Sequence, residues 1–347
     1  MSGTPLAVGV AGVGSLGFHH ARHYASMPGV RLAGIFDARP ERAAEVAAQL
    51  GTTAFATYAA LLDAVEAVSI VTPTTEHHAT GMAAIAKGRH VLMEKPVAAT
   101  VAEAEELVDA AARQGVVLQT GHIERFNRAV RAAAPHLAKP RYIESDRVAP
   151  FGLRGSEVAV ILDLMIHDLD LVLSLVKEPV RDVRASGIGI VTPSVDIATA
   201  RIEFASGAVA NLTASRMARE RVRKLRIFQP TGYLSLDLSS GTGEFLRLKP
   251  DALLQYMMMQ KAGTEDRGPG TGDRGPGTGA VPELSQFVEQ IALEAPEGDS
   301  LQLELASFTR AVRGEEPVAV SGAEGLDALR LAFRVMEAMG PAARLTS

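Results

Sequence analysis

The apolar run Leu6–Ala11 ends at Gly12-Val13-Gly14-Ser15-Leu16-Gly17 and passes directly into a stretch of helical period. Glycines at a strand-to-helix junction leave room that side chains would fill. Gly12 permits a tight turn, Gly14 lets phosphate groups approach the backbone, and Gly17 lets the helix lie close to the strand. A glycine pattern alone is weak evidence. Here a second apolar run, Arg31–Phe36, ends in Asp37, twenty residues after Gly17, where a carboxylate can accept hydrogen bonds from a ribose. Together they predict a dinucleotide site, with Gly12, Gly14, Ser15, Leu16 and Gly17 around the pyrophosphate and Asp37 on the adenosine ribose. Asp37 would repel a 2′-phosphate and so favours NAD over NADP; Arg39, two residues on, could offset that preference.

From Leu6 to Thr120 short apolar runs alternate with helical segments, the pattern of an α/β doubly wound parallel sheet of Rossmann type. The expected strands are Leu6–Ala11, Arg31–Phe36, Thr53–Ala56, Ala67–Val71, His90–Met93 and Val116–Gln119, with helices such as Pro40–Leu50 and Val101–Gln114 between them. Thr100 followed by Glu103 is a capping-box signature for the second of these helices. After Gly121 the pattern changes. One strongly apolar segment, Val158–Val176, suits a buried helix, and strand-like runs then follow one another: Arg181–Val191, Ile197–Phe204, Ala208–Ser215, Arg221–Gln229, Tyr233–Asp237 and Glu244–Leu248. Successive strands predict a C-terminal α+β domain with an open, mainly antiparallel sheet. The expected division is a cofactor domain over 1–121 and a substrate and oligomerisation domain over 122–347. Within the latter, 263–280 is a Gly/Pro-rich loop whose Asp266–Gly279 tandem repeat has nothing apolar to bury. Two helices, near Ser300–Arg313 and Gly322–Met339, close the chain.

The 347 residues carry a net charge of −5, which removes the long-range attraction that nucleic acid or an anionic membrane would exert. With no cysteine, disulfides and thiolate chemistry are excluded. The N-terminus shows no basic segment followed by a long apolar run, so neither an export signal nor a membrane span is expected, and the cytoplasm is the expected location. His19 and His23 are four apart but have no acidic third ligand nearby, and no metal site is expected.

Two further patterns carry chemistry. Glu94-Lys95-Pro96 follows the fifth expected strand, at the sheet edge where a nicotinamide would lie; by itself such a tripeptide is equally a solvated turn. Asp163 and His167 interrupt an apolar helical run at a spacing that puts both on one face. A satisfied buried pair and a functional pair are both open on that spacing alone.

The sequence resembles the Gfo/Idh/MocA oxidoreductases over nearly its whole length. The resemblance is carried by the glycine loop with Asp37, by Val71-Thr72-Pro73-Thr74-Thr75-Glu76-His77, by Gly88-Arg89-His90-Val91-Leu92-Met93-Glu94-Lys95-Pro96, and by Asp163-Leu164-Met165-Ile166-His167-Asp168-Leu169-Asp170. It implies Thr72, Pro73, His77, Glu94 and Lys95 as further cofactor contacts, with Thr74 standing where the family usually has asparagine. It also implies Lys95 at the reacting hydroxyl, His167 as the general base and Asp163 orienting substrate or imidazole. Gly121-His122-Ile123-Glu124-Arg125-Phe126-Asn127 and the Asp163–Leu175 stretch look closer to one branch of that family, the UDP-N-acetylglucosamine 3-dehydrogenases, which implies His122, Arg125 and Asn127 as substrate contacts. The expectation is therefore an NAD-dependent dehydrogenase of a sugar or nucleotide-sugar secondary alcohol. Alternatives are an inositol or free-sugar dehydrogenase, or a non-catalytic NAD(H) sensor, which would have no need of Lys95, Asp163 and His167.

A nucleotide sugar carries a diphosphate, and Arg216, Arg219, Arg221, Arg223, Lys224 and Arg226 cluster along one strand and its approach, where they supply cations or merely a solvated face. An antiparallel sheet with one face left bare by helices predicts a homodimer or homotetramer formed through that face.

Overall fold

In the computed structural model of the chain, the described residues are 4–152, 158–252, 254, 258 and 287–340. Every residue of β1 (Leu6–Ala11) is buried, as its unbroken apolar run requires of a strand covered on both faces. It pairs in parallel with β2 (Val30–Phe36) on one side and β3 (Ala67–Ile70) on the other; β4 (His90–Glu94) and β5 (Leu118–Gly121) extend the sheet in the order β2-β1-β3-β4-β5. The connections are α1 (Ser15–Ser26), α2 (Pro40–Leu50), α3 (Tyr58–Asp63), α4 (His77–Ala86) and α5 (Val101–Gln114). The Thr100–Glu103 capping box is present on α5. Because β2 and β3 lie on opposite sides of β1, the strand ends around β1 and β3 open a crevice, the usual ligand position in such sheets. The expected strand at Thr53–Ala56 is not one: a single bridge from Ala54 to Ile35 is all that forms there.

The second sheet runs in the order β13-β12-β11-β10-β6-β9-β8-β7. Its strands are β6 (Tyr142–Val148), β7 (Val180–Ile188), β8 (Ile197–Phe204), β9 (Val209–Ser215), β10 (Val222–Gln229), β11 (Gly232–Asp237), β12 (Thr242–Leu248) and β13 (Val288–Ala292). All pairings are antiparallel except β6 with β9. β6 and β13 had no counterpart in the sequence pattern. Ile143, Leu212, Leu225 and Ile227 turn one face of the sheet toward Leu169 and Val172 of α7 (Ile166–Val176), and the alternate residues, among them Lys224, Arg226 and Phe228, turn away. The segment expected as one helix over Val158–Val176 is instead a π turn, Ile161–Met165, leading into α7. A short α6 (Arg128–Ala133) precedes β6.

The last two helices return to the first sheet. Leu301, Leu305 and Phe308 of α8 (Ser300–Val312) join the core formed by Val8 and Tyr24, and Leu326 and Leu329 of α9 (Gly322–Ala338) join that of Val91 and Leu107. The repeat Asp266–Gly279 lies outside the described residues. Among the described residues no helix is long and apolar enough to cross a membrane.

Candidate active site

The crevice beside β1 is a cleft of about 530 Å³ lined by Gly14, Ser15, Leu16 and Gly17, by Val71 to Thr75 and His77, and by Glu94, Lys95 and Val158. Gly12 has φ +83°, and a side chain there would stand 2.7 Å from the Val71 carbonyl oxygen. At Gly17 an added Cβ would come within 1.8 Å of the Gly12 carbonyl oxygen, so helix and turn touch backbone to backbone. Gly14 is different. Nothing stands within 4 Å of where its Cβ would be, and it caps α1 without a side-chain acceptor for the helix amides. An open helix N-terminus with free amides fits a pyrophosphate.

Asp37 closes the other side of the loop. Its Oδ2 accepts from the Val13 amide at 2.8 Å, and its Oδ1 accepts from the Arg39 amide at 3.0 Å and from Arg39 Nε at 3.3 Å. The arginine that could have served a 2′-phosphate is thus tied to the carboxylate that would repel one. NAD(H) is expected to bind more tightly than NADP(H), and Asp37→Ala to narrow the difference; fluorescence titration showing NADP(H) preferred by the unmutated protein contradicts this reading.

His77 is held as a brace. Its Nδ1 lies 2.8 Å from the Pro96 carbonyl oxygen and its Nε2 2.9 Å from that of Thr72, tying the end of β3 to the segment after β4. Burial depresses its pKa, outweighing the two carbonyls that favour protonation. Glu94 is buried under Lys95, with Oε1 3.0 Å from His20 Nε2 and Oε2 accepting from the Lys95 amide at 3.2 Å. Burial opposes its ionisation, but the His20 hydrogen bond and the Lys95 charge prevail and hold its pKa below the usual value. Glu304 of α8 is fully buried, with neither carboxyl oxygen hydrogen-bonded among the described residues; burial and the charges of Glu94 and Asp170 raise its pKa well above the ordinary range. His20 and Glu304 escaped the sequence reading because one lies among surface-like histidines and the other far along the chain.

Lys95 Nζ reaches across to the π turn, donating to the Asp163 carbonyl oxygen at 2.6 Å with Asp163 Oδ1 at 3.9 Å. One turn later, His167 has an Nδ1 that is buried and has no hydrogen-bond partner among the described residues. Burial first, then the charges of Lys95 and Arg147, push its pKa well below the usual histidine value, with His122 and Arg223 adding to the effect. His167 is therefore a neutral imidazole at physiological pH, with a ring nitrogen unspent. Lys95, which lines the cleft, thus contacts Asp163, and its charge acts on His167 one turn further on.

The residues after β5 divide. His122 is 1% exposed, neither of its ring nitrogens has a partner among the described residues, and burial lowers its pKa against the opposing charge of Asp170. Arg125 grips Asp170 bidentately at 2.7 and 2.8 Å and reaches Glu324 at 3.3 Å. The Asn127 amide donates to Glu124 and to the Leu238 carbonyl oxygen, while its oxygen accepts from the Ala129 amide to cap α6. Arg125 and Asn127 are thus engaged within the fold, whereas His122 keeps both nitrogens. A buried ion network also lies beside His167: Arg147 holds Asp168 bidentately at 2.7 and 2.9 Å and Glu124 at 2.8 Å.

Residues 6–122 match the oxidoreductase family with an NAD-binding Rossmann fold, and residues 136–235 match the GFO/IDH/MocA C-terminal domain. The UDP-N-acetylglucosamine 3-dehydrogenase of Acidithiobacillus ferrooxidans is 40% identical over 336 residues, covering 96% of this chain and 97% of that one. The chain belongs to the Gfo/Idh/MocA oxidoreductase family. A solved structure of the Acidithiobacillus enzyme superposes with a TM-score of 0.82 at 37% identity, covering 96% of this chain and 97% of that one. The myo-inositol 2-dehydrogenase of Thermotoga maritima is 27% identical over 96% of both chains. A levoglucosan dehydrogenase in complex with NADH and levoglucosan shares the fold, with a TM-score of 0.78 at 19% identity. The chain is accordingly an oxidoreductase with an NAD-binding Rossmann domain.

Proposed function

We propose that the protein transfers hydride between NAD and the C3 carbinol of a UDP-N-acetylglucosamine-type nucleotide sugar, with His167 as the base. The observation that carries this reading is that Lys95, lining the dinucleotide cleft after β4, is bonded to Asp163 of the π turn and acts by its charge on the neutral His167 one turn on. The relative's substrate supplies the choice of sugar. His167 takes the hydroxyl proton, and its depressed pKa keeps it unprotonated and ready to do so. Lys95, fixed by the Asp163 carbonyl, holds its ammonium against the developing alkoxide. Asp163 presents its carboxylate to a neighbouring substrate hydroxyl, and His122 offers its unpartnered nitrogens to the same ligand. Gly12, Gly14, Ser15, Leu16, Gly17, Thr72, Pro73 and Glu94 shape the cofactor side, with His77 bracing it. NAD bound there supplies the hydride acceptor.

The domain that follows residue 121 serves substrate and assembly. Its sheet turns Tyr142, Phe228 and Tyr233 outward in a row of contacting rings, with Phe228 and Tyr233 stacked at 4.6 Å, a surface suited to a homodimer or homotetramer. The chemistry described suits a cytoplasmic enzyme.

Nicotinamide reduction is measured across nucleotide sugars, inositols and free sugars. Oxidation of UDP-N-acetylglucosamine with appearance of a 3-keto product is the expected result. Turnover confined to an inositol or a free sugar overturns the substrate assignment, and no turnover with any of them favours a cofactor sensor.

A further inference from the structure

The cationic stretch from Arg216 to Arg226 does not act as a unit, because the sheet sends its members to different places. Arg216 is buried, donating to the Val158 carbonyl oxygen at 2.7 Å beside Asp196 at 3.9 Å. Arg219 and Arg221 are exposed on the approach to β10. Lys224 and Arg226 point to the outer face, where Arg226 pairs with Glu144 at 3.2 Å and Asp146 at 3.8 Å. Arg223 alone belongs to the face that α7 covers.

There it stands directly across from Arg147 in the β10–β6 register, so the two side chains lie about one strand spacing apart on the same face. Arg147 is fully matched by Asp168, the residue next to His167, and by Glu124. Among the described residues Arg223 has only what is left over: its Nη1 lies 3.4 Å from the same Glu124 Oε1 that Arg147 holds at 2.8 Å. Its side chain is 35% exposed, so it reaches solvent from beside the reaction centre. Half-buried beside another guanidinium, it has a depressed pKa, caused first by burial and next by the Arg147 charge. A cation so placed gains from an added anion more than a solvated one does.

We propose that Arg223 is the contact for the diphosphate of the nucleotide-sugar substrate. The assignment rests on the nucleotide-sugar reading and adds to it the residue that makes the site prefer a phosphorylated sugar over a neutral polyol. The planar fork of Arg223 suits a diphosphate oxygen pair, and its place across from Arg147, whose partner Asp168 adjoins His167, puts that pair near the base, as a sugar reacting two carbons from its anomeric phosphate requires.

The test uses the NADH-loaded enzyme with UDP as the binding probe, and turnover of UDP-N-acetylglucosamine with NAD+ as the hydride acceptor. Arg223→Gln is expected to raise the Kd for UDP and the KM for the sugar by roughly 10- to 100-fold while kcat falls far less. Arg223→Lys, which keeps the charge opposite Glu124 and guards against misfolding, should fall between. Lys224→Gln on the outer face should leave both constants within about twofold. If the wild type binds UDP and oxidises the nucleotide sugar, and Arg223→Gln and Arg223→Lys, each with a melting temperature near that of the wild type, leave both constants within about twofold, Arg223 does not touch the diphosphate and the proposal falls alone. Failure of the wild type to bind UDP, with turnover only of neutral polyols, overturns the nucleotide-sugar reading and this proposal with it.

Discussion

Replacing His167 by alanine is expected to slow turnover by about a hundredfold to ten-thousandfold while leaving NADH affinity nearly unchanged. A carbinol releases hydride readily only as its oxygen loses a proton, and His167, a neutral imidazole, is the base proposed to take it. Its position on α7 keeps it apart from the glycine loop that receives the dinucleotide. Lys95→Ala should lose turnover to a similar degree, since the ammonium that stabilises the alkoxide goes with it. His167 is depressed by Lys95 among other charges, so removing that lysine should also move the acidic limb of the kcat/KM profile upward in pH. Near-parental kcat in a folded His167→Ala enzyme, tested on a substrate the parent oxidises, means that another group takes the proton.

The parallel half was legible in the sequence because its strands are buried on both faces and read as plain apolar runs, as in Leu6–Ala11. Tyr142–Val148 was not. Its inward positions include Ser145 and Arg147 beside Ile143, and its outward ones include Glu144 and Asp146, so neither face shows an apolar period. The π turn under Asp163 was equally hidden: Ile161–Met165 is apolar in the way of any buried helix, and the widened turn that presents the Asp163 carbonyl to Lys95 leaves no mark on composition. Thr53–Ala56 has strand-like residues but gains only one bridge, too little to hold a strand.

The site residues follow the same division. Lys95 and His167 sit in local motifs, which is why the sequence could propose them. Arg125 and Asn127 also sit in a motif, yet Asp170, Glu324 and Leu238, which they hold besides the local Glu124, are brought close by the fold. Conversely, nothing local marks Arg147: its partners Asp168 and Glu124 lie 21 and 23 residues away in the chain. Polar residues are easy to find in a sequence, but whether they face a ligand or one another depends on pairings across elements.

That network predicts the largest stability effect in the molecule. Arg147 joins β6 to α7 through Asp168 and to the turn after β5 through Glu124, and all three side chains are nearly inaccessible to water. Arg147→Met removes the only guanidinium among the described residues that contacts both carboxylates, leaving Arg223, at 3.4 Å from Glu124, as a poor substitute. Two buried charges without a matching cation should cost about 3–5 kcal/mol. The loss is expected to come from stranded charge and not from lost attraction, so adding Asp168→Asn and Glu124→Gln to Arg147→Met should recover much of it. Chemical denaturation of the single and triple variants separates the two contributions. If the triple variant is no more stable than Arg147→Met, the network holds α7 against the sheet by its net attraction, and the position of His167 depends on that attraction directly.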